Sequence, residues 1–238
     1  MNRSRRARLM VALCAALLCI GLFALGCWQL QRLQWKLTLI AQVDQRVHAA
    51  PAAAPAVASW PLLSKQNDEY RHLRLEGRFL DELATRVQAS TILGAGYWLL
   101  TPFRSDDGAT VLVNRGFIPT TTALPAGTQH VSITGLLRMS ERGGAFLRDN
   151  NPIANRWYAR DVQAIAAARG LGPVAPYFLD QDATQPAVPG APVGGLTVIA
   201  FNNNHLVYAL TWFALSLMAA AGGVLVARTG DSTDKLKG

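Results

Sequence analysis

Near its carboxyl end the chain reads Asn202-Asn203-Asn204-His205-Leu206-Val207-Tyr208-Ala209-Leu210-Thr211-Trp212-Phe213, and the apolar run that begins there continues to Ala227. The 22 residues from 206 to 227 contain no charged side chain and are enough to cross a bilayer as a helix. Because asparagine is a favoured helix cap, one of the three asparagines is predicted to start this helix. His205 then lies in the first turn, at the membrane surface.

One face of this helix carries side chains with useful chemistry. At about 100° per residue, the side chains predicted to share that face are His205, Tyr208, Trp212, Ser216, Ala219 and Gly223. An imidazole can bind a metal, but Tyr and Trp are also enriched at membrane interfaces because they are half apolar and half polar. The face therefore fits either a ligand site or an interfacial belt in which His205 caps the helix or contacts headgroups.

The amino-terminal run from Leu9 to Leu30 is a second transmembrane candidate, with no charge until Arg32. A cleaved signal peptide is the competing interpretation, because basic residues before an apolar stretch describe both. Ala24-Leu25-Gly26-Cys27 also partly resembles a lipoprotein cleavage box. We favour an uncleaved anchor, and a mature protein that begins at Cys27 would contradict that choice.

Charge predicts the topology. Four arginines with no acid among them precede the first run, so the amino terminus should stay cytoplasmic and the second helix returns the chain to that side. The first helix should continue beyond the membrane to about Val47. The predicted division is a basic cytoplasmic amino terminus 1–8, a first transmembrane helix 9–30, an extracytoplasmic domain 31–204, a second transmembrane helix 205–227 and a cytoplasmic tail 228–238.

The middle region reads as short strands with one helix, and none of the three cysteines lies in it, so it has no internal disulfide. The predicted elements are strands at Tyr70–Phe79, Thr85–Leu93, Tyr97–Phe103, Thr110–Pro119, Val131–Leu137 and Leu196–Phe201, turns at Gly94–Gly96 and Asp106–Gly108, a helix at Arg160–Arg169 and a Pro-rich connection from Pro173 to Pro192. The predicted fold class is membrane α+β, with two transmembrane helices flanking an extracytoplasmic β-rich domain that forms a small sandwich or open barrel.

Two observations limit the functions open to the chain. The formal charge is +8, but no aromatic-basic pattern of a nucleic-acid module is present. The sequence also lacks a phosphate-binding glycine loop, a nucleophile elbow and a metal-spaced histidine cluster, so we expect no enzyme. The most pointed loop motif is Asn114-Arg115-Gly116, whose Arg115 can bind a carboxylate of a ligand or partner. The favoured alternative is a structural bulge with Arg115 paired inside the domain.

Four motifs together resemble the surfeit locus protein one family, in the right order and over nearly the whole chain. They are Trp28-Gln-Leu-x-Arg32-x-x-Trp35-Lys36, Leu112-Val113-Asn114-Arg115-Gly116-Phe117-Ile118-Pro119, Trp157-Tyr158-x-x-Asp161 and Asn203-Asn204-His205-Leu206-x-Tyr208-Ala209-x-Thr211-Trp212-Phe213. The resemblance implies an assembly factor for aa3-type cytochrome c oxidase that assists insertion or stabilisation of haem a in the catalytic subunit. The chain departs from the family at Phe117, where Trp is common.

The resemblance also implies roles for individual residues. His205 becomes the candidate axial ligand of haem a, the only metal contact expected, and Tyr208 and Trp212 become candidates to flank the porphyrin. The residues expected to have structural or partner-facing roles are Trp28, Arg32, Arg115 and Gly116. An assembly scaffold that holds an oxidase intermediate without binding haem is the alternative. A membrane-anchored enzyme would need a convergent set of polar side chains that the sequence does not show.

Partners and location follow from the same resemblance. The implied partners are the oxidase catalytic subunit, haem A synthase as a further candidate, and the lipid bilayer, with no nucleic acid. Because no mitochondrial presequence precedes the first helix, we expect a multi-pass protein of the bacterial inner membrane. Both termini would be cytoplasmic and the large loop periplasmic.

Overall fold

The computed structural model describes residues 3–120, 129–141, 148–184, 190–199 and 201–234. The chain divides into two compact units, one made of Met1–Gln42 with Ala200–Gly238 and the other of Val43–Ile199. The elements in chain order are α1 Arg3–His48, β1 Ala52–Ala53, a 3-10 turn Val57–Leu62, α2 Lys65–Asp68, β2 His72–Phe79, a 3-10 turn Asp81–Leu83, β3 Thr85–Thr91, β4 Gly94–Ser105, β5 Thr110–Ile118, β6 His130–Met139, α3 Val162–Ala168, β7 Tyr177–Gln181 and α4 His205–Asp234.

Both long helices have the length and composition to cross a membrane, over Arg6–His48 in α1 and His205–Arg228 in α4. The predicted extension of the first helix to about Val47 is confirmed, because α1 ends at His48. The predicted start of the second helix is also confirmed. The Asn204 carbonyl accepts a hydrogen bond from the Tyr208 amide, the first turn of α4. The tail beyond 234 lies outside the described residues.

The strands of the second unit form one mixed sheet that closes on itself. β2 pairs antiparallel with both β6 and β4, β6 pairs with β7, β7 runs parallel to β5, and β5 pairs with β4. This ring of pairings returns to β2, so five strands make a barrel, with β1 and β3 added at the two ends of the strand order. Of the two predicted architectures, the sandwich is wrong and the open barrel is right only in part, because the pairing of β2 with β4 closes the barrel.

Two apolar clusters lie on opposite sides of the barrel wall. The interior is filled by alternate residues of the five strands, which are Leu73, Leu75, Phe79, Phe103, Val111, Val113, Ile133, Leu137, Tyr177 and Leu179, with Ala175 beside them. Outside, α3 covers the wall, and its cluster consists of Val87, Leu100, Leu112, Trp157, Val162, Ile165, Ala166, Val174 and Phe178. A strand buried on both sides has no polar face, which explains the continuous apolar run in β5 and β7.

Local signals located two elements correctly. The turn at 106–108 joins β4 to β5 as predicted, and Gly108 has φ +85° there. The helix predicted between 160 and 169 is α3. The Asp161 carboxylate accepts a hydrogen bond from the Ala164 amide and caps it, and Gly170 follows its end with φ +63°.

Three predicted elements are wrong. The turn placed at Gly94–Gly96 lies at 92–93, because Gly96 is needed within β4, where an added Cβ would collide with the Phe117 ring. The connection predicted from Pro173 to Pro192 contains β7, whose residues are buried on both faces and show no alternation. The described residues of the strand predicted at Leu196–Phe201 are irregular.

The glycines that precede the supposed last strand explain its absence. Gly195 has φ +72°, which turns the chain, and its amide donates to the Gln181 carbonyl. Two residues later, the Thr197 hydroxyl donates to the Asp180 carboxylate at 3.0 Å. The segment is therefore held by individual contacts with the end of β7 instead of by a strand ladder.

Candidate functional site

The first candidate site lies at the start of α4, within the helical unit. His205 Nδ1 is 2.8 Å from Oε1 of Gln29 on α1. An amide oxygen only accepts hydrogen bonds, so Nδ1 carries the proton and Nε2 of the neutral ring keeps its lone pair. Histidines that ligate a metal commonly donate their second nitrogen to such an acceptor, which fixes the tautomer and the ring orientation. The contact therefore leaves the Nε2 lone pair of the neutral ring as the available donor.

Below His205, α4 packs closely on α1. Ala209 is fully buried, and Ser216 is buried with its hydroxyl donating to the Cys19 carbonyl at 2.9 Å. The Phe213 ring fills the space over Gly26, where an added Cβ would collide with it. Such close approach through small residues and a hydroxyl is typical of helices that pack in membranes.

The structure separates the residues of the predicted helix face. His205, Ser216 and Gly223 lie toward α1, and an added Cβ at Gly223 would be 3.1 Å from Ala15. Trp212 is half-buried, whereas Tyr208 is 54% exposed. The contact face is centred on Ala209 and Ser216, which are buried, and Tyr208 lies outside it. Tyr208 remains a candidate for contact with a ligand on the outer side of the pair.

The motif after the first apolar run makes local contacts. Trp28 is 51% exposed. The Arg32 guanidinium stacks over the Trp35 ring, 4.9 Å from its centroid. Lys36 Nζ lies 5.3 Å from the ring centroid of Phe201, just before α4. These are cation–π contacts within the helical unit, and they leave Trp28 available to lipid or to a partner.

In the barrel unit, the motif Asn114-Arg115-Gly116 is a β-bulge. Two residues of β5, Arg115 and Gly116, lie opposite the single residue Leu99 of β4, so β5 carries one extra residue. Arg115 Nη1 donates to Asp81 at 2.6 Å, and its guanidinium lies 4.2 Å from the Phe79 ring centroid. Burial lowers the pKa of Arg115, and the charge of Asp81 opposes that effect. The alternative of an arginine paired inside the domain is thus confirmed.

Gly116 lies in close contact with another part of the backbone. Its φ is +124°, and an added Cβ would collide with the Val193 carbonyl. The next residue, Phe117, exchanges two backbone hydrogen bonds with Val193, each 2.9 Å. The glycine therefore lets the segment after residue 190 lie directly on the barrel wall.

A buried charge network surrounds Asp180, at the end of β7. Its carboxylate is 4% exposed and accepts hydrogen bonds from Asn114 Nδ2 at 2.8 Å, Arg138 at 3.0 Å, Arg160 at 3.2 Å and Thr197 at 3.0 Å. These donors lie in strand β5, in strand β6, just before α3 and in the segment after β7. Asp180 therefore joins four parts of the domain.

Each arginine of the network has a second carboxylate. Arg138 Nε donates to Glu69 at 2.9 Å, and Arg160 forms a fork with Glu141. Burial alone would lower the pKa of Arg138, but the charge of Asp180 and the bond with Glu69 raise it overall. The network lines a polar cavity of about 190 Å³ whose further walls include Trp98 and Gly116. Every charge of the network has an opposite partner, so removing one partner would leave a largely buried charge uncompensated.

We expect the unfolding free energy of the domain to fall in acid partly through Glu141. Burial would raise the pKa of Glu141, but the hydrogen bonds and charge of Arg160 lower it overall from its ordinary value of 4.5. A carboxyl whose folded pKa is depressed contributes stability above its unfolded pKa and loses it as the pH falls through the folded pKa. The loss should therefore begin near pH 4.5 and grow below it. Urea midpoints measured from pH 6 to pH 3 should fall less steeply for Glu141→Gln, and parallel curves would contradict the assignment.

Sequence reasoning missed Gln29, Asp180, Arg138 and Arg160. Gln29 stands inside the quoted motif after the first apolar run, but nothing local connects it with a histidine 176 residues away. Arg138 and Asp180 lie on strands that the sequence does not pair, and Arg160 lies just before α3. The one signal in the sequence was Asp180 itself, a carboxylate that directly follows the short apolar run ending at Leu179. Within the described ranges, no group of three or more His, Cys, Asp or Glu side chains is placed to hold a metal ion.

Comparisons of the sequence with known proteins place the chain in one family. The sequence profile of the SURF1 family matches residues 16–217. Human Surfeit locus protein 1 is 35% identical over 217 residues, which cover 82% of this chain and 70% of the human protein. A SURF1-like protein of Monosiga brevicollis is 34% identical over 233 residues, covering 90% of this chain and 87% of that protein. A SURF1-like protein of Drosophila melanogaster is 33% identical over 218 residues, or 82% and 70%.

The fold defines a protein in which two long apolar helices flank, in sequence, one β-barrel domain. The chain belongs to the SURF1 family, which the match over most of its length shows. The family is known generally for cytochrome c oxidase assembly. The resemblance that the four motifs predicted is confirmed.

Proposed function

We propose that this chain assists the insertion or stabilisation of haem a in the catalytic subunit of aa3-type cytochrome c oxidase. The observation that carries the proposal is the contact of His205 with Gln29, which leaves Nε2 as a donor. Haem a, when bound, supplies an iron for which a neutral imidazole nitrogen is a normal axial ligand. Trp212, which is half-buried, and Tyr208, which is exposed, would flank the macrocycle.

The proposed location follows from the helices and the charges. α1 and α4 would cross a bacterial inner membrane, with both termini cytoplasmic and the barrel domain periplasmic. His205 would then lie at the outer leaflet, where a haem passed to the oxidase catalytic subunit could be held. The domain would dock on that subunit during assembly, and haem A synthase is a further proposed partner. The length and apolar composition of the two helices support a location in a membrane.

The decisive test is the haem content of the purified full chain. We expect wild type, co-expressed with the enzymes of haem A synthesis, to show a haem a band in a reduced-minus-oxidised spectrum and His205→Ala to lose it. Gln29→Leu should weaken binding by about tenfold or more, because it removes the acceptor that orients the ring. His48→Ala is the matched control, because it removes an exposed histidine elsewhere on α1.

The outcomes separate the proposal from its alternative. Equal haem a in wild type and His205→Ala, with both proteins folded, would move the ligand to another residue. Co-purification of the oxidase catalytic subunit without any haem spectrum would favour the protein-only scaffold, which holds an assembly intermediate. Normal oxidase assembly and normal haem a occupancy after deletion of the gene would count against both.

A further inference from the structure

Three basic side chains form a row across the outside of the barrel. Arg78 of β2 is directly opposite Arg104 of β4 and, on its other side, directly opposite His130 of β6. Residues that face each other in neighbouring antiparallel strands project on the same side of the sheet. The neighbours of Arg78 along β2, Gly77 and Phe79, are buried, so the row projects outward. We call these three side chains the basic row.

The basic row is unfavourable for the fold itself. Like charges directly opposite each other in a sheet are destabilising, and both arginines are exposed. The unit from 43 to 199 is nearly neutral, with 14 Lys and Arg against 13 Asp and Glu, and within it the row brings two arginines opposite each other, with Asp106 as the carboxylate beside them. A local arrangement that costs stability needs a compensating interaction, and a bound anion would supply one.

The contacts in the row leave donors available. His130 Nε2 is 2.8 Å from Asp106, and Arg104 Nη1 donates to the Gly108 carbonyl at 3.3 Å. The neighbouring carboxylate of Asp107 accepts from the Ala109 amide. In the described part of the chain, Arg78 takes part in none of the ion pairs.

The same side chains enclose a recess large enough for an anion. Its volume is about 450 Å³. The residues that line it are Arg78, Arg104, Ser105, Asp106, Gly108 and His130. Neighbouring strands are about 4.8 Å apart, so side chains from three strands can reach one small ligand. Asp106 is the single carboxylate in the described lining, and it is paired with His130.

We propose that the basic row binds a phosphate group. A phosphate presents several oxygens in a tetrahedron, which suits forked guanidinium donors arriving from two strands, with the Ser105 hydroxyl as a further donor. A carboxylate has only two oxygens in one plane and would satisfy fewer of these donors. The phosphate group belongs either to a free anion or to a lipid headgroup. The proposal is independent of haem binding, because none of its residues lies in the helical unit.

The test uses the full chain in a neutral detergent and inorganic phosphate as the probe. Calorimetric titration should show binding by wild type, and Arg78→Gln should weaken it by about five- to tenfold, the loss of one charge-assisted contact. Arg74→Gln is the matched control, because Arg74 is exposed on the same face of β2 but lies outside the recess. Its affinity should equal that of wild type.

Two further measurements complete the test. A short-chain phosphatidylglycerol, titrated beside a short-chain phosphatidylcholine, distinguishes the sources. Binding of the anionic lipid alone, lost in Arg78→Gln, assigns a headgroup, and binding of inorganic phosphate assigns a free anion. The urea midpoint of Arg78→Gln should equal or exceed that of wild type, because a like-charge pair has been removed. A lower midpoint, binding unchanged by Arg78→Gln, or no binding of any probe would overturn the proposal.

Discussion

Replacing Asp180 with asparagine is expected to lower the free energy of unfolding by about 3–5 kcal/mol, the usual cost of removing one partner from a buried ion pair. The variant keeps the size of the side chain but removes the charge that two partly buried arginines share. Glu69 and Glu141 each retain one arginine, so the loss should lie toward the lower end of that range. The measurement is urea unfolding of the full chain in detergent, followed by tryptophan fluorescence.

The matched control for this variant is Asp106→Asn. The Asp106 carboxylate pairs with His130, and both of these side chains are more than half exposed. Solvent screens such a pair, so we expect a change of about 0–1 kcal/mol. Equal losses in the two variants would show that burial of the network around Asp180 contributes nothing to the stability of the barrel.

The second large effect is expected from Gly116→Ala. The positive φ alone should cost about 1–3 kcal/mol for a residue with a Cβ. The added carbon must also displace the Val193 carbonyl, which should cost about another 1–3 kcal/mol. The displaced segment carries Thr197, so its bond with Asp180 should weaken as well. Urea midpoints and hydrogen exchange of the Phe117 and Val193 amides measure the two consequences.

Gly94→Ala separates the two contributions. Gly94 also has a positive φ, +102°, but an added Cβ there meets no atom within 4 Å. The two variants therefore share the backbone strain and differ in the collision. If Gly94→Ala were as destabilising as Gly116→Ala, the approach of Val193 would not be the reason for glycine at position 116.

Elements that carry their own start and stop signals could be predicted from the sequence. α3 has a capping carboxylate at Asp161 and a glycine at 170, and both act within four residues of the helix. The strand β7 could not be predicted, because both of its faces are buried and the burial depends on β5 and β6 lying beside it. The supposed strand after residue 195 failed for the converse reason. Its residues suit a strand, but individual contacts with Gln181 and Asp180 hold it in another conformation.

The candidate sites follow the same rule. His205 could be singled out, because it stands at the first turn of an apolar helix and in a motif of the family. Its partner Gln29 could not, since the packing of α4 on α1 decides which polar side chain meets the imidazole. The bulge at Arg115 and Gly116 could be anticipated from the glycine. The acceptor for the arginine, Asp81, depends on how the barrel closes.

Closure of the barrel has a consequence for how the protein meets other chains. Unpaired strand edges invite extended segments of other proteins to add to a sheet, which is a common route to aggregation. Here five strands have neighbours on both sides, and β1 is only two residues long. On the exposed side of β3, the Gln88 amide donates to the Trp157 carbonyl at 2.8 Å. The protein is proposed to work beside unassembled subunits. The barrel thus offers them little unpaired strand backbone to which an extended segment could add.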